Sequence, residues 1–228
     1  MYREDGERMQ TWNPHPGCDF KCYYCFGPVQ YARFSKCAKC RAFKPHFHLE
    51  RMQQKFKPNK TYFVESLGDP SFIPPDIFQQ ILNHLAEFPE TRFMFQSKNP
   101  RFFADFKYPE NIWLGTTIET DIDDLARVYS SAPSPTLRFS GLLWTKQKTG
   151  RNIYITFEPL LVFNQFRLMQ LVRAFEPNEV YVGLDNHAHH LPEPSKEMQL
   201  RLVHSLEDLL GLENVHRKTL GLAWWEKR

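Results

Sequence analysis

Runs of β-forming residues alternate with amphipathic stretches along most of the chain. Residues 61–66 (TYFVES) show the alternation and composition of a strand, whereas the apolar residues of 75–87 recur every three or four positions, as on one face of a helix. The predicted strands are 10–14, 61–66, 92–97, 111–118, 152–159 and 179–185. The predicted helices are 27–36, 75–87, 123–130, 164–175 and 195–210.

Two segments fit neither period well. Residues 136–150 contain Leu137, Arg138 and Phe139 and later the polar run TKQKTG, and we expect an irregular insertion there. The tail from Lys218 is expected to form either a last strand or an extended cover.

Strand–helix alternation with short connections predicts parallel strands joined by right-handed crossovers. Such units, repeated through 228 residues, predict an α/β fold, a partial (β/α)6 TIM-like barrel. We expect residues 1–228 to form one domain, with an insertion that contains cysteine and histidine at about 36–50. In barrels of this type the working residues lie at the C-terminal ends of the strands.

The distribution of cysteines is the most informative feature of the composition. All five lie between residues 18 and 40, which predicts metal binding in a reducing compartment, and we expect the cytoplasm. The first ten residues, MYREDGERMQ, lack the apolar stretch of a secretory signal, and no apolar run is long enough to predict a membrane span. The formal charge of +3 permits a nucleic-acid partner without implying one.

Three cysteines stand at Cys-x3-Cys-x2-Cys spacing within residues 11–26, TWNPHPGCDFKCYYCF: Cys18, Cys22 and Cys25. Cysteine thiolates are the usual ligands of iron–sulfur clusters. Three of them can hold three irons of a [4Fe-4S] cluster, so that the fourth iron keeps a coordination position for a small molecule. The alternative is a structural zinc site completed by Cys37 or Cys40, although such sites usually contain paired Cys-x2-Cys knuckles.

The stretch resembles the signature of the radical S-adenosylmethionine (radical SAM) enzymes, which also have an aromatic residue, here Tyr24, before the third cysteine. The resemblance implies that Cys18, Cys22 and Cys25 are catalytic cluster ligands and that SAM binds the remaining iron. It also implies that an electron from the cluster cleaves SAM to methionine and a 5′-deoxyadenosyl radical, which abstracts hydrogen from a substrate. A reductant such as ferredoxin or flavodoxin would supply the electron.

A second group of metal-ligand residue types follows this motif: Cys37, Cys40, His46 and His48. Thiolate and imidazole suit zinc, so a zinc ion or another second metal is one interpretation. In the other interpretation, the two thiols belong to an insertion without a metal, and the two histidines serve other roles, with one of them facing the active site.

Several polar residues follow the predicted strands. By the resemblance, the turn Gly68-Asp69 meets the amino group of the SAM methionine, in place of the family's usual Gly-Glu. Thr117 and Glu119 point to one side of their strand and Thr116 to the other. The first two are expected either to hold the ribose or the amino-acid end of the cofactor or to form an exposed strand end.

The remaining strand ends supply further candidates. Lys98 is expected either to bind a carboxylate or phosphate or to be a solvated loop residue. Glu158 is expected to line the cavity, with Arg138 as a candidate partner, because an unpaired buried charge is costly. The last predicted strand leads into residues that either bind substrate or metal or form a polar loop: Asp185, His187, His189 and His190.

The order of SLGDPSF, FQSKNP, WLGTTIE, TFEPLL and VGLD resembles a small phage-associated family of radical SAM proteins that is distantly similar to spore photoproduct lyase. This resemblance gives a reaction type and leaves the substrate open. Nucleic acid is the first class to test and a peptide the second. The alternative function is a metal-stabilised nucleic-acid-binding protein without catalysis, in which aromatic residues such as Trp224 and Trp225 stack on bases.

Overall fold

The computed structural model describes residues 9–227, and its centre is one sheet of seven parallel strands in sequential order. The strands are β1 (Gln10–Trp12), β2 (Thr61–Val64), β3 (Arg92–Gln96), β4 (Ile112–Thr117), β5 (Asn152–Phe157), β6 (Glu179–Val182) and β7 (Val215–Arg217). Because the strands are parallel, their C-terminal ends all lie along one edge. The sheet curls into a half-barrel, which confirms the predicted α/β, partial TIM-like class.

Helices connect most of these strands. They are α1 (Gly27–Phe34), α2 (Ala38–Arg41), α3 (Pro75–Ala86), α4 (Asp123–Tyr129), α5 (Pro135–Thr149), α6 (Gln165–Phe175) and α7 (Lys196–Leu210). Short 3₁₀ turns occur at Leu49–Gln53, Pro70–Phe72, Pro100–Asp105, Leu212–Asn214 and Trp224–Glu226. Ser195 caps α7 by accepting a hydrogen bond from the Met198 N–H at 3.3 Å, and Gly211 ends the helix.

The helices bury their apolar faces against the outer side of the sheet. Phe78 of α3, for example, packs on Phe95 of β3 with ring centroids 5.3 Å apart. The inner side carries its own buried cluster, which includes Met94, Tyr154 and Tyr181. These bulky residues fill the half-barrel interior below the strand ends, so the polar C-terminal edge remains for a site.

The expected insertion at 136–150 is wrong, because Pro135–Thr149 form the helix α5. Ser134 precedes the helix, Pro135 occupies its first turn, and Gly150 ends it in the left-handed region at φ 63°. The face that α5 buries mixes polar and small residues with apolar ones, so the sequence shows no continuous apolar stripe. The buried residues include Arg138, Phe139, Gly141, Leu142 and Thr145.

The strands end earlier than predicted at several places. The predicted strand 152–159 ends at Phe157 and the predicted strand 179–185 at Val182, because the polar residues that follow turn into loops. β7 was not predicted, and the tail begins just after it. Lys218 still donates its N–H to the Val182 C=O at 2.8 Å, so the start of the tail continues beside β6.

No helix within residues 9–227 combines the length and the apolar character needed to cross a bilayer. The segment for which the sequence predicts no secretory signal falls mostly on residues 1–8, which lie outside the described part of the chain.

Candidate functional site

The cysteine motif lies on the connection between β1 and α1, residues 13–26, called the cysteine loop below. The loop is anchored to the end of β2, since the Gly17 N–H donates to the Leu67 C=O at 2.9 Å and Gly17 forms a parallel bridge with Gly68. Farther along, the Phe20 C=O accepts a hydrogen bond from the Ser131 N–H at 2.9 Å. The three cysteines of the motif are half-buried and free: Cys18, Cys22 and Cys25.

Gly17 allows a close approach between the cysteine loop and the next segment of chain. Its φ of 103° lies in the left-handed region, and a Cβ at this position would lie 2.4 Å from the carbonyl carbon of Lys44 and 2.5 Å from the nitrogen of Pro45. Both neighbours are backbone atoms, which cannot move aside as a side chain can. The cysteine loop therefore packs directly on the chain that leads to His46.

The three thiols form a donor set suited to a metal cluster. Burial raises the pKa of Cys18, and the negative charges of Asp69, Cys22 and Cys25 raise it further. Burial likewise raises the pKa of Cys25. A bound cation, such as the irons of a cluster, would offset the burial and the mutual repulsion that raise these pKa values. The residues present therefore fit a three-cysteine cluster.

A buried ionic network lies beside the cysteine loop. Glu119, which follows β4, accepts hydrogen bonds from the Tyr24 hydroxyl and from Lys98 Nζ. Lys98 Nζ also donates to the Tyr24 oxygen at 3.0 Å. Arg138 of α5 donates to the other carboxylate oxygen of Glu119 at 2.6 Å. The network thus joins the cysteine loop to two strand ends and one helix.

The charges in this network are fixed by its ion pairs, against the effect of burial on Glu119. Burial alone raises the pKa of Glu119, but the positive charges of Arg138 and Lys98 outweigh it and lower that pKa to about 2. Burial and the charge of Glu119 raise the pKa of Tyr24 well above its ordinary value, so the phenol remains a donor. One carboxylate therefore faces two cations, and the network carries a net positive charge.

The carboxylate of Asp69 is occupied by protein donors. Its Oδ1 accepts hydrogen bonds from the Ser97 hydroxyl at 2.6 Å and the Ser71 N–H at 3.0 Å, and its Oδ2 accepts one from the Lys98 N–H at 2.8 Å. Asp69 is buried and ties the loop after β2 to the loop after β3. Any contact of Gly68-Asp69 with a ligand would therefore come mainly from backbone groups.

Thr117 belongs to a row of polar side chains inside the half-barrel. Its hydroxyl accepts a hydrogen bond from Gln96 Nε2 at 2.7 Å, and Gln96 Oε1 accepts one from the Thr156 hydroxyl at 2.7 Å. Thr116 points the other way and donates to the Ser97 C=O at 2.7 Å. Gln96 and Thr156 were not among the predicted site residues. Side chains alternate between the two faces of a strand, so the strand register would have placed Thr156 beside Thr117 on the inner face.

The predicted partner of Glu158 is wrong. Arg138 pairs with Glu119, whereas Glu158 accepts a hydrogen bond from Lys218, the residue after β7. The side chains of Glu158 and Lys218 are 18% and 10% exposed. The reason for the difference is α5, whose helical geometry places Arg138 behind the end of β4. Glu158 also lies close to Asn186, whose Nδ2 is 3.4 Å away.

The loop after β6 is organised by Asp185. This carboxylate accepts hydrogen bonds from the His189 N–H at 2.7 Å and the His187 N–H at 3.1 Å, and these bonds outweigh burial and lower the pKa of Asp185. Phe26 stacks on His187 with ring centroids 5.8 Å apart, and Tyr23 meets the edge of His189 at 5.4 Å. The loop therefore forms a rim beside the cysteine loop.

The second group of cysteines and histidines comes together in space. The ligand atoms of its four members all lie within 4.8 Å of one another: Cys37, Cys40, His46 and His48. His46 Nε2 is 3.4 Å from Cys37 Sγ, and His48 Nε2 is 3.2 Å from Cys40 Sγ. The Nδ1 atom of His46 lies 2.7 Å from the Lys44 C=O, an outer contact that leaves Nε2 free for a metal. This geometry favours the metal interpretation and includes none of the cysteines of the motif.

Two buried titratable residues near the cysteine loop were missed by sequence analysis. Glu65 follows β2 with φ 59°, is 2% exposed, and accepts a hydrogen bond from the His15 N–H at 2.6 Å. Burial raises the pKa of Glu65 to about 8. Within residues 9–227, Glu65 Oε2 and His15 Nδ1 have no hydrogen-bond partner. Their burial depends on tertiary packing, so the sequence holds no local signal for it.

The tryptophans of the tail, Trp224 and Trp225, are 42% and 51% exposed. Their indole N–H groups donate to the Leu191 C=O at 2.7 Å and the Glu193 C=O at 3.0 Å. The two rings are thus fixed at the surface by their polar edges, with apolar surface left in contact with solvent.

Residues 8–140 match the family described as "Protein of unknown function (DUF5131)", which covers more than half of the chain. The chain belongs to this family. The match includes the cysteine loop, the Cys/His group and the network residues Lys98, Glu119 and Arg138. A search of curated proteins gave no significant match to the DUF5131 chain.

Solved structures share the fold of this DUF5131 protein. Spore photoproduct lyase with bound AdoMet and dinucleoside spore photoproduct aligns over 92% of this chain and 76% of the lyase, with a TM-score of 0.66 and 8% identity. Streptococcus suis SuiB bound to S-adenosylmethionine aligns over 93% of this chain and 50% of SuiB, with a TM-score of 0.56 and 13% identity. SuiB bound to precursor peptide SuiA aligns over 92% of this chain and 48% of SuiB, with a TM-score of 0.56 and 13% identity. The chain thus spans about half the length of SuiB, and at these identities the likeness shows the fold.

Proposed function

We propose that this protein is a radical SAM enzyme whose [4Fe-4S] cluster is held by Cys18, Cys22 and Cys25. The observation that carries the proposal is the position of the Cys-x3-Cys-x2-Cys loop at the C-terminal edge of a parallel half-barrel. The fold is shared with spore photoproduct lyase and SuiB, both radical SAM enzymes. When bound, the cluster and SAM supply a 5′-deoxyadenosyl radical for hydrogen abstraction.

The buried network is proposed to orient SAM. Lys98 is 14% exposed, whereas the side chains of Glu119 and Arg138 are each 1% exposed, so Lys98 is the cation that can reach a bound carboxylate. Tyr24 and Glu119 hold Lys98 in place through hydrogen bonds. The net positive charge of the network suits an anionic group beside the cysteine loop.

Other strand-end residues are proposed to complete the cofactor site. Backbone groups of Gly68 and Asp69, which lie beside Gly17, would meet the amino group of SAM. The hydroxyl of Thr117 lies in the interior row with Gln96 and would face the ribose. Glu158 and Asp185 lie farther along the edge, after β5 and β6, and would face the substrate.

Two substrate classes are supported by the structures with the same fold. The lyase holds a dinucleoside spore photoproduct and SuiB a precursor peptide, so we propose a nucleic acid or a peptide here. A reductant such as ferredoxin or flavodoxin would supply the electron in the cytoplasm, where free cysteines stay reduced. Residues 1–228 would form one catalytic domain, and the phage association suggested by the motifs stays a prediction.

A zinc ion is proposed for the group of Cys37, Cys40, His46 and His48. Four protein ligands close a tetrahedral site and leave no position for a substrate, so the role of this zinc would be structural. The His46 N–H donates to the Pro16 C=O at 3.2 Å and the His48 N–H to the Pro14 C=O at 2.8 Å, so the group would brace the cysteine loop. A purely structural zinc site is also the feature that favours a binding protein without catalysis.

An electron paramagnetic resonance experiment separates these two functions. The protein is reconstituted with iron and sulfide without oxygen, reduced with dithionite, and measured with and without SAM. The radical SAM proposal predicts a reduced-cluster signal that changes when SAM is added, and its absence in Cys22→Ala. The matched variant Cys37→Ala should keep the signal. A protein that binds zinc and forms no cluster would support the alternative.

A further inference from the structure

Residues 20–49 carry a strongly unbalanced charge. The segment contains six Lys and Arg residues and no Asp or Glu. The whole chain has 29 basic and 26 acidic residues, so the residues outside this segment carry 23 basic against 26 acidic side chains. The positive charge of the protein is therefore concentrated in one segment, called the basic segment below.

The six cations of the basic segment are all exposed: Lys21, Arg33, Lys36, Lys39, Arg41 and Lys44. None of them takes part in a salt bridge within residues 9–227. The segment is a packed unit, because Tyr31 of α1 and Phe43 after α2 have ring centroids 6.1 Å apart. These charges are thus free to meet an anionic partner.

The proposed zinc does not explain the excess charge. A zinc ion held by two thiolates and two neutral imidazoles has no net charge, so the cations on the surface remain uncompensated. Buried ionic pairs do not explain it either, since the six side chains lie at the surface. A surface of one sign attracts a partner of the opposite sign.

Exposed aromatic rings accompany these cations. Tyr23, Phe26 and Phe34 are 62%, 42% and 79% exposed. Phe26 and Tyr23 contact His187 and His189, which extends the aromatic surface from the basic segment to the rim of the candidate active site. Cations interleaved with exposed aromatic faces are the pattern of proteins that bind single-stranded nucleic acid, because bases stack on the rings while phosphates meet the charges.

We propose that the basic segment binds the phosphate backbone of a single-stranded nucleic acid and that a base stacks on the rim formed by Tyr23, Phe26, His187 and His189. The inference deepens the proposed function and rests on it for its catalytic meaning, because it selects nucleic acid over peptide as the substrate class. Binding itself requires neither SAM nor an electron.

The test is fluorescence anisotropy of a labelled oligothymidine and a labelled oligouridine, each about 20 nucleotides long, with the full metal-loaded chain. We expect affinity to fall as salt rises from about 50 to 200 mM, with a log–log slope of about −2 to −4. The charge reversal Arg33→Glu, Lys36→Glu and Lys39→Glu should weaken binding at least about tenfold and flatten the slope by about 2. Zinc content measured on the same sample shows whether the Cys/His group is intact.

A matched triple variant controls for net charge. Lys57, Lys148 and Arg173 are exposed cations at the opposite end of the half-barrel, before β2, β5 and β6. Reversal of all three to Glu changes the total charge by the same amount, and binding should stay within about twofold of the wild type. Equal weakening by the two triple variants would overturn the proposal.

A single substitution tests the aromatic part independently of charge. Tyr23→Ala should weaken binding about tenfold and leave the salt slope unchanged, because stacking involves no released counterion. Failure of the wild type to bind either oligonucleotide would overturn the proposal. A wild type that binds flavodoxin through these cations and binds neither oligonucleotide would overturn it in the same way. Because these measurements contain no SAM and no reductant, a failure of the radical chemistry would not alter them.

Discussion

Arg138 donates a hydrogen bond to Glu119 Oε2 at 2.6 Å, and the two side chains are each 1% exposed. Glu119 follows β4 and Arg138 comes from α5, so this ion pair joins a strand end to the helix that covers it. Lys98 and Tyr24 complete the network on the side of the cysteine loop. The pair therefore links the stability of the fold to the position of the residues proposed to bind SAM.

Glu119→Gln should destabilise the protein strongly. The substitution leaves the buried Arg138 without a carboxylate partner, and loss of one partner of a buried ion pair typically costs about 3–5 kcal/mol. Urea denaturation measures the free energy of unfolding. As a control, Glu197→Gln removes the exposed pair with Arg201 and should have little effect. Equal stabilities of the two variants would show that the buried pair does not stabilise the fold.

The same carboxylate should contribute to acid sensitivity. The pKa of Glu119 is lowered to about 2 in the folded protein, below its ordinary value of 4.5. Its stabilising contribution is therefore complete above about pH 4.5 and is lost as the pH falls toward 2. Glu119→Gln should lack this part of the acid dependence, which thermal unfolding between these pH values would detect. An unchanged dependence would contradict the lowered pKa.

Glu65 should have the opposite pH dependence. Burial raises its pKa from 4.5 to about 8, so the folded state binds a proton that the unfolded state has lost between these values. Stability therefore falls as the pH rises from about 4.5 to 8, because the charged form is penalised in the fold. Glu65→Gln should be nearly neutral at about pH 5 and stabilising by roughly 3–5 kcal/mol at about pH 9. The same stability difference at both pH values would rule out this titration.

The two metal groups should lose their metals independently. Cys22→Ala removes a proposed cluster ligand, and Cys37→Ala removes a proposed zinc ligand in a group that contains none of the motif cysteines. Elemental analysis should show loss of iron with zinc retained in the first variant, and loss of zinc with iron retained in the second. Equal iron loss in both would show that the two groups form one site.

Gly17→Ala should disrupt the cysteine loop. The new Cβ would meet the backbone of Lys44 at 2.4 Å in addition to the strain of a φ of 103°. Gly150→Ala is the matched control, because Gly150 also has a positive φ, 63°, and a Cβ there meets nothing within 4 Å. We expect Gly17→Ala to lower iron incorporation severalfold and Gly150→Ala to cost only about 1 kcal/mol of stability. Equal iron content in both variants would contradict the packing argument.

Local patterns were sufficient to predict most of the fold. The strands and helices alternate with clear periods, and six of the seven strands were found. α5 was missed because its buried face includes Arg138 and Thr145, so the apolar stripe is interrupted. Arg138 was consequently paired with Glu158 instead of Glu119. The ion-pair partner of Arg138 depends on the helical geometry of α5, and the sequence pattern did not reveal that helix.

In the candidate site, too, groups that are close in the sequence could be predicted, whereas partners that only the fold brings together could not. The Cys/His group is close in sequence, so its four members could be grouped from their spacing. The pairing of Glu158 with Lys218 joins residues far apart in the chain and depends on β7, which was not predicted. The burial of Glu65 and His15 likewise comes from tertiary packing.

Cleavage of SAM is the reaction that tests the proposed radical SAM activity most directly. The reconstituted, reduced protein is incubated with SAM without oxygen, and 5′-deoxyadenosine is quantified against Cys22→Ala. We predict 5′-deoxyadenosine from the wild type and none above background from the variant. A protein that loads no cluster, or a loaded and reduced cluster that forms no more 5′-deoxyadenosine than Cys22→Ala, would contradict it.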